Sequence, residues 1–112
     1  MNDSSFCCAL DSVYESLSSL IRKRNEYLNS LIGQTLISNF TKLEGKITDI
    51  NSNKQISINF IHSGSIMVPI NKYEAYFEKD DKVDELLNSY LQTFKEERAY
   101  KRTISKLEKE KN

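Results

Sequence analysis

Two cysteines, three glycines, one proline, one histidine and no tryptophan are present among the 112 residues. Each scarcity closes off a class of chemistry. Cys7 and Cys8 are adjacent, and neighbouring cysteines bridge only under severe strain, so no disulfide framework is expected. A reducing compartment, cytoplasmic or nuclear, fits that usage. Three glycines cannot supply a phosphate-cradling glycine loop. His62, the sole histidine, falls in an expected turn with no convergent nucleophile or paired carboxylates. Catalysis needs such convergence. The chain therefore reads as a non-enzyme, with no cofactor and no metal. Charge of one sign is also missing: 16 basic residues balance 16 acidic ones, which leaves no electrostatic footprint for phosphate backbones. No apolar run approaches the ~20 residues of a membrane span. The N-terminus bears Asp3 and lacks the basic region of a signal peptide. No membrane is expected as a partner.

The length suits a single domain over residues 1–112. A 38% hydrophobic fraction beside 29% charged residues points to long solvated helices or to an oligomer. Steps of four and three from Phe6 reach Leu10, Val13, Leu17, Leu20, Arg24, Tyr27 and Leu31, all apolar but Arg24. That is the spacing of a heptad seam. Asp3, Ser4 and Ser5 can each serve as N-cap, and Gly33 stands where a helix stop belongs. The pattern predicts a helix over 4–32, roughly 40 Å long at ~1.5 Å per residue.

Between residues 35 and 70 the chemistry turns to strand. Runs over 35–40, 43–50, 55–61 and 65–70 are separated by "NSNK" and by "HSG", with Ile56, Ile58 and Phe60 alternating onto one face. Abundant Ile, period-two alternation and a glycine at the bend predict about four antiparallel strands. Either two hairpins or a small twisted barrel satisfies that pattern. Then "NKYE" sets Asn71 and Glu74 in a capping-box spacing, and a second helix is predicted over 72–110. Its seam runs through Tyr73, Tyr76, Phe77, Val83, Leu87, Tyr90 and Phe94. Glu97 and Lys101 interrupt it before Ile104 and Leu107 restore it. "KDDK" at 79–82 leaves a kink or a break open.

The predicted fold class is thus α+β: two long helices forming an antiparallel helical hairpin or coiled coil around a small antiparallel β unit. Reversal at the β unit would set Arg24 near Tyr90 and Leu17 near Glu97. Phe6, Leu10 and Val13 would then face a stretch supplying little apolar surface besides Ile104 and Leu107. Burying each fully is worth ~1.5–3 kcal/mol, so these five are the expected partner or client contacts.

Helix, β unit and helix in that order resemble the α-type prefoldin subunits. At residue level the likeness rests on "GKITDI" at 45–50, on Gly64 at the second turn, and on "INKYEAYF" at 70–77 with its Asn71, Glu74 and Ala75. The resemblance implies a chaperone-type assembly protein, whose β hairpins join subunits while helix tips hold unfolded client protein. Gly45, Ile47, Ile56, Ile58 and Gly64 would then serve the turns and pairing of the β unit. A second stretch, 32–58, is similar to the first half of an Sm-like or SH3-like small barrel. Gly45, Ile47, Ile50, Asn51, Ile56 and Ile58 fall at the spacings of its first motif. That likeness implies a module for RNA, DNA or a peptide, with Asn51 and Gln55 near the contacting loop and the helices left for dimerisation.

Overall fold

A computed structural model describes the backbone of residues 3–111 and the side-chain surroundings of residues 9–110. The chain is α+β, with a four-stranded antiparallel sheet and helices on both sides of it in sequence. Helix α1 covers Asp3–Leu31; strands β1 (Thr35–Ile37), β2 (Glu44–Ile50), β3 (Gln55–Phe60) and β4 (Gly64–Pro69) follow. After a 3-10 turn at Ile70–Lys72 come a short helix α2 (Tyr73–Tyr76) and a long helix α3 (Asp81–Lys111). No helix among the described residues is long and apolar enough to cross a membrane.

The chain forms two compact units: Glu26–Ser89, here the sheet unit, and Met1–Asn25 with Tyr90–Asn112, here the helical unit. In the sheet unit each strand pairs with the next in sequence, in the order β1-β2-β3-β4. Alternation selects the interior: Ile47 pairs with Ile58, Ile56 pairs with Val68, and all four are buried. A bulge at Thr48 shifts the β2–β3 register by one residue, which brings Ile50 back to the buried face opposite Ile56. Leu31, Leu36, Phe77, Val83 and Leu87 complete a fully buried core with Ile47, Ile56 and Ile58. The "NSNK" turn is tied by Asn51, whose Oδ1 accepts from the backbone N–H groups of Asn53 and Gln55, both at 3.0 Å.

The second helix predicted over 72–110 is not continuous. Asn71 lies in the 3-10 turn, and α2 starts without a side-chain cap. Phe77 then turns extended (φ −128°, ψ 150°), forms an antiparallel bridge with Ser38 beyond β1, and stacks on Phe60 with ring centroids 6.3 Å apart. Burying this ring outweighs the helix-favouring local sequence, since propensity is the weaker term. The chain restarts as a helix where "KDDK" left a break open: Asp80 Oδ1 accepts from the Val83 N–H at 3.0 Å and caps α3.

In the helical unit the predicted seam of the first helix is the covered face. Leu20 is buried and Leu10, Val13, Leu17 and Arg24 are half-buried, whereas Asp11, Glu15 and Lys23 are exposed. On α3 the covered positions in this unit are Tyr90, Leu91, Thr93, Phe94, Glu97, Tyr100, Ile104 and Leu107. Tyr100 thus takes the place the heptad count assigned to Lys101, whose side chain is exposed. An ammonium at that position reaches water at little cost, and the neighbouring tyrosine covers apolar surface instead.

Candidate functional site

Of the residues singled out for the β unit, Gly45, Ile47, Ile56 and Ile58 are spent inside it. They are buried and paired with Phe60, Ile58, Val68 and Ile47 respectively within the chain's own sheet. They build the interior and present nothing to a neighbour. Gly45 is there for space: a Cβ on it would stand 2.5 Å from Ile58 Cγ2 and 2.8 Å from Phe60 Cε1. Gly64 sits exposed at the β3–β4 turn with φ +86°, a conformation that glycine adopts freely. His62 lies exposed in the same turn.

What the sheet does present is the outer edge of β4. Its inner edge is fully occupied: residues 64–69 pair with residues 55–60, and the ladder continues as Ile70 N–H donates to the Lys54 carbonyl at 3.0 Å. Antiparallel ladders alternate, so counting back from Ile70 aims the N–H groups of Val68 and Ile66 inward. The backbone groups of Ser65 and Met67 aim outward, and no backbone partner meets them among the described residues. Pro69 continues that outward set, where a missing N–H costs no ladder bond. The strand, "GSIMVP", has no charged residue. Met67 is 53% exposed, Ile66 43%, and nearby Ile61 81%. Natural edges are usually blunted by charge, proline, bulges or cover; of these, the strand itself carries Pro69 and no charged residue. A second apolar spot lies at Phe40 and Tyr76, both exposed, with ring centroids 6.0 Å apart.

In the helical unit one polar cluster links α1 to α3. Arg24 Nε donates to Thr93 Oγ1 at 3.0 Å, and its Nη2 donates to the Thr93 carbonyl at 3.3 Å and to Glu97. The guanidinium carbon stands 3.9 Å from the Phe94 ring centroid. Thr93 Oγ1 in turn donates to the Tyr90 carbonyl at 2.6 Å, and Lys101 pairs with Glu97 at 3.0 Å. Arg24 therefore meets α3 one to two turns beyond the Tyr90 level that the simple reversal suggests, at Thr93, Phe94 and Glu97, where its fork reaches a carboxylate. The Arg24 hydrogen bond, helped by that of Lys101, holds the Glu97 carboxyl below its ordinary 4.5. Further along the unit Leu10, Val13, Ile104 and Leu107 are all half-buried. The remaining tip residue, Phe6, and both cysteines lie outside the residues whose side chains are described.

Asn51 and Gln55, the positions that the small-barrel likeness sets near an RNA loop, are bonded to each other: Asn51 Nδ2 donates to Gln55 Oε1 at 3.0 Å. Their polar groups hold the turn. The free β4 edge was announced in sequence only by its lack of charge, and the Phe40–Tyr76 pair by nothing local. Comparison with family models, with curated proteins and with solved structures yields no match.

Proposed function

We propose that this chain is a non-enzymatic assembly protein, prefoldin-like in plan, whose sheet unit joins another subunit through β4. The reading is supported by one observation above the rest, the unpaired and uncharged outer edge of that strand. Extended edges of this kind recruit a further strand by main-chain hydrogen bonds, with exposed side chains setting the fit. The occupant is β4 of a second copy. An antiparallel β4–β4 pairing is self-complementary about a two-fold axis, buries Ile66 and Met67 of both copies, and meets no charge repulsion because the strand carries none. In this account α1 and α3 run as an antiparallel hairpin fixed by Arg24 and Glu97, and Leu10, Val13, Ile104 and Leu107 offer a partly covered apolar face to a client or partner.

Met67→Pro tests the pairing. The substitution removes an outward N–H and no internal ladder bond, so the sheet should keep its circular dichroism while the mass by light scattering falls to 13.0 kDa. Met67→Leu should still associate. Association undiminished by Met67→Pro would remove β4 from the account, and a mixed complex formed only with another protein would replace the second copy as occupant.

A second reading draws on the bridge between Ser38 and Phe77. It sets the segment after the 3-10 turn beside β1, as the closing strand of an SH3-like small barrel would lie. On that reading the unit binds a peptide or nucleic acid, with Phe40 and Tyr76 as the natural stacking surface. Binding of an oligonucleotide that weakens steeply with salt would favour nucleic acid as the ligand.

A further inference from the structure

The balance of 16 basic and 16 acidic residues hides a local imbalance on α3. Lys95, Arg98, Arg102, Lys106 and Lys109 follow one another at steps of three, four, four and three. At ~100° per residue those steps keep all five within an arc of roughly 80°. The arc points away from the covered positions Glu97, Tyr100, Ile104 and Leu107, and all five basic residues are exposed. No acidic residue falls inside it between Leu91 and Lys109. None of the five makes an ion pair among the described residues. Lys101 stands beside the row, already bonded to Glu97 at 3.0 Å. With it, Lys95, Arg98 and Arg102 line an open groove of about 550 Å³. Like charges at these spacings repel along a helix, so the row opposes folding and adds nothing to the packing.

Such a row is complementary to an extended polyanion, since it runs about 21 Å along the helix at ~1.5 Å per residue. A protein partner would ask for an apolar or aromatic centre, and interfaces are depleted in Lys. The arc holds no apolar residue from Lys95 to Lys109. A helix lying on a membrane buries an apolar face, and that face of α3 is the covered one. Single strands stack their bases on aromatic side chains, which the arc also lacks. Interfaces with duplex nucleic acid, in contrast, are polar and strongly positive, and arginine forks match phosphate oxygens. We infer that this face of α3 binds the phosphate backbone of a nucleic-acid duplex without reading its sequence. The inference concerns the helical unit alone and does not depend on strand pairing by β4.

The test is fluorescence anisotropy of a labelled mixed-sequence DNA duplex titrated with the full chain across a range of salt concentrations. The logarithm of the association constant should fall against that of salt with a slope of about −4 to −5, five contacts at ~0.9 each. The double variant Arg98→Gln, Arg102→Gln should bring the slope to about −3 and weaken binding roughly 60-fold at ~0.1 M salt. Lys106→Gln with Lys109→Gln, nearer the end of the helix, should do the same, so the test survives if one pair disturbs folding by circular dichroism. Lys82→Gln, an equal loss of charge at an exposed position outside the row, should change neither quantity. No binding at low salt, or a slope that neither pair alters, would overturn the assignment. Tighter binding of the single strand would overturn it as well. So would competition by poly-glutamate as effective as that by unlabelled duplex, which would make the ligand an acidic polypeptide. Stronger capture by phosphatidylserine vesicles than by duplex would replace nucleic acid with a membrane surface.

Discussion

Adding one methyl group to Gly45 is the sharpest probe of how the sheet unit is packed. The new carbon would lie 2.5 Å from Ile58 Cγ2 and 2.8 Å from Phe60 Cε1, against ~3.5–4.0 Å for comfortable carbon contacts. Both neighbours must retreat by about 1 Å, and neither has slack. Ile58 is fully buried, and Phe60 is stacked on Phe77. Overpacking of this kind costs about 1–3 kcal/mol. Loss of glycine's freedom in the unfolded chain returns about 0.4–1 kcal/mol, so Gly45→Ala should destabilise by about 1–2 kcal/mol. With a urea slope of about 1–3 kcal/mol per M for a small domain, the midpoint should fall by roughly 1 M. With no tryptophan in the chain, circular dichroism is the suitable signal. A midpoint unchanged or raised by the alanine would show that the space around Gly45 is not closed, and the packing argument would fail.

Glu97→Gln should cost about 1–3 kcal/mol, the worth of hydrogen bonds to a charged group, measured by the same urea titration. Because the folded-state pKa of Glu97 is lowered, its stabilisation is present above the ordinary carboxylate pKa of 4.5 and is lost as pH falls through the lower folded value. The wild type should therefore lose stability on acidification more steeply than Glu97→Gln, and parallel pH curves would remove that role. Asp80→Ala deletes the cap of α3 and should cost about 1 kcal/mol, read as a lower thermal midpoint. Tyr73→Phe removes a buried hydroxyl that has no partner among the described residues, so it should leave stability unchanged or raise it by up to ~1–3 kcal/mol; a clear loss would mean that the hydroxyl is already satisfied.

The sequence was most readable where one period ruled. Alternation over 43–50 and 55–61 found β2 and β3 to within a residue, and the heptad rhythm from Leu10 to Leu31 found the covered face of α1. Legibility failed where a tertiary contact overrode a local pattern. Nothing in "NKYEAYF" announces that Phe77 leaves the helix, because the reason, its ring on Phe60 and its bridge to Ser38, lies in residues far off in sequence. Gly45 was legible as important but for another reason: it makes room inside the sheet, where the resemblance suggested a role in subunit pairing.

The central claim, assembly through β4, is tested most directly by sedimentation velocity across a range of protein concentrations. The account predicts a species of at least twice 13.0 kDa that dissociates on dilution and is abolished by Met67→Pro without loss of secondary structure. A single species of 13.0 kDa at every concentration would contradict it.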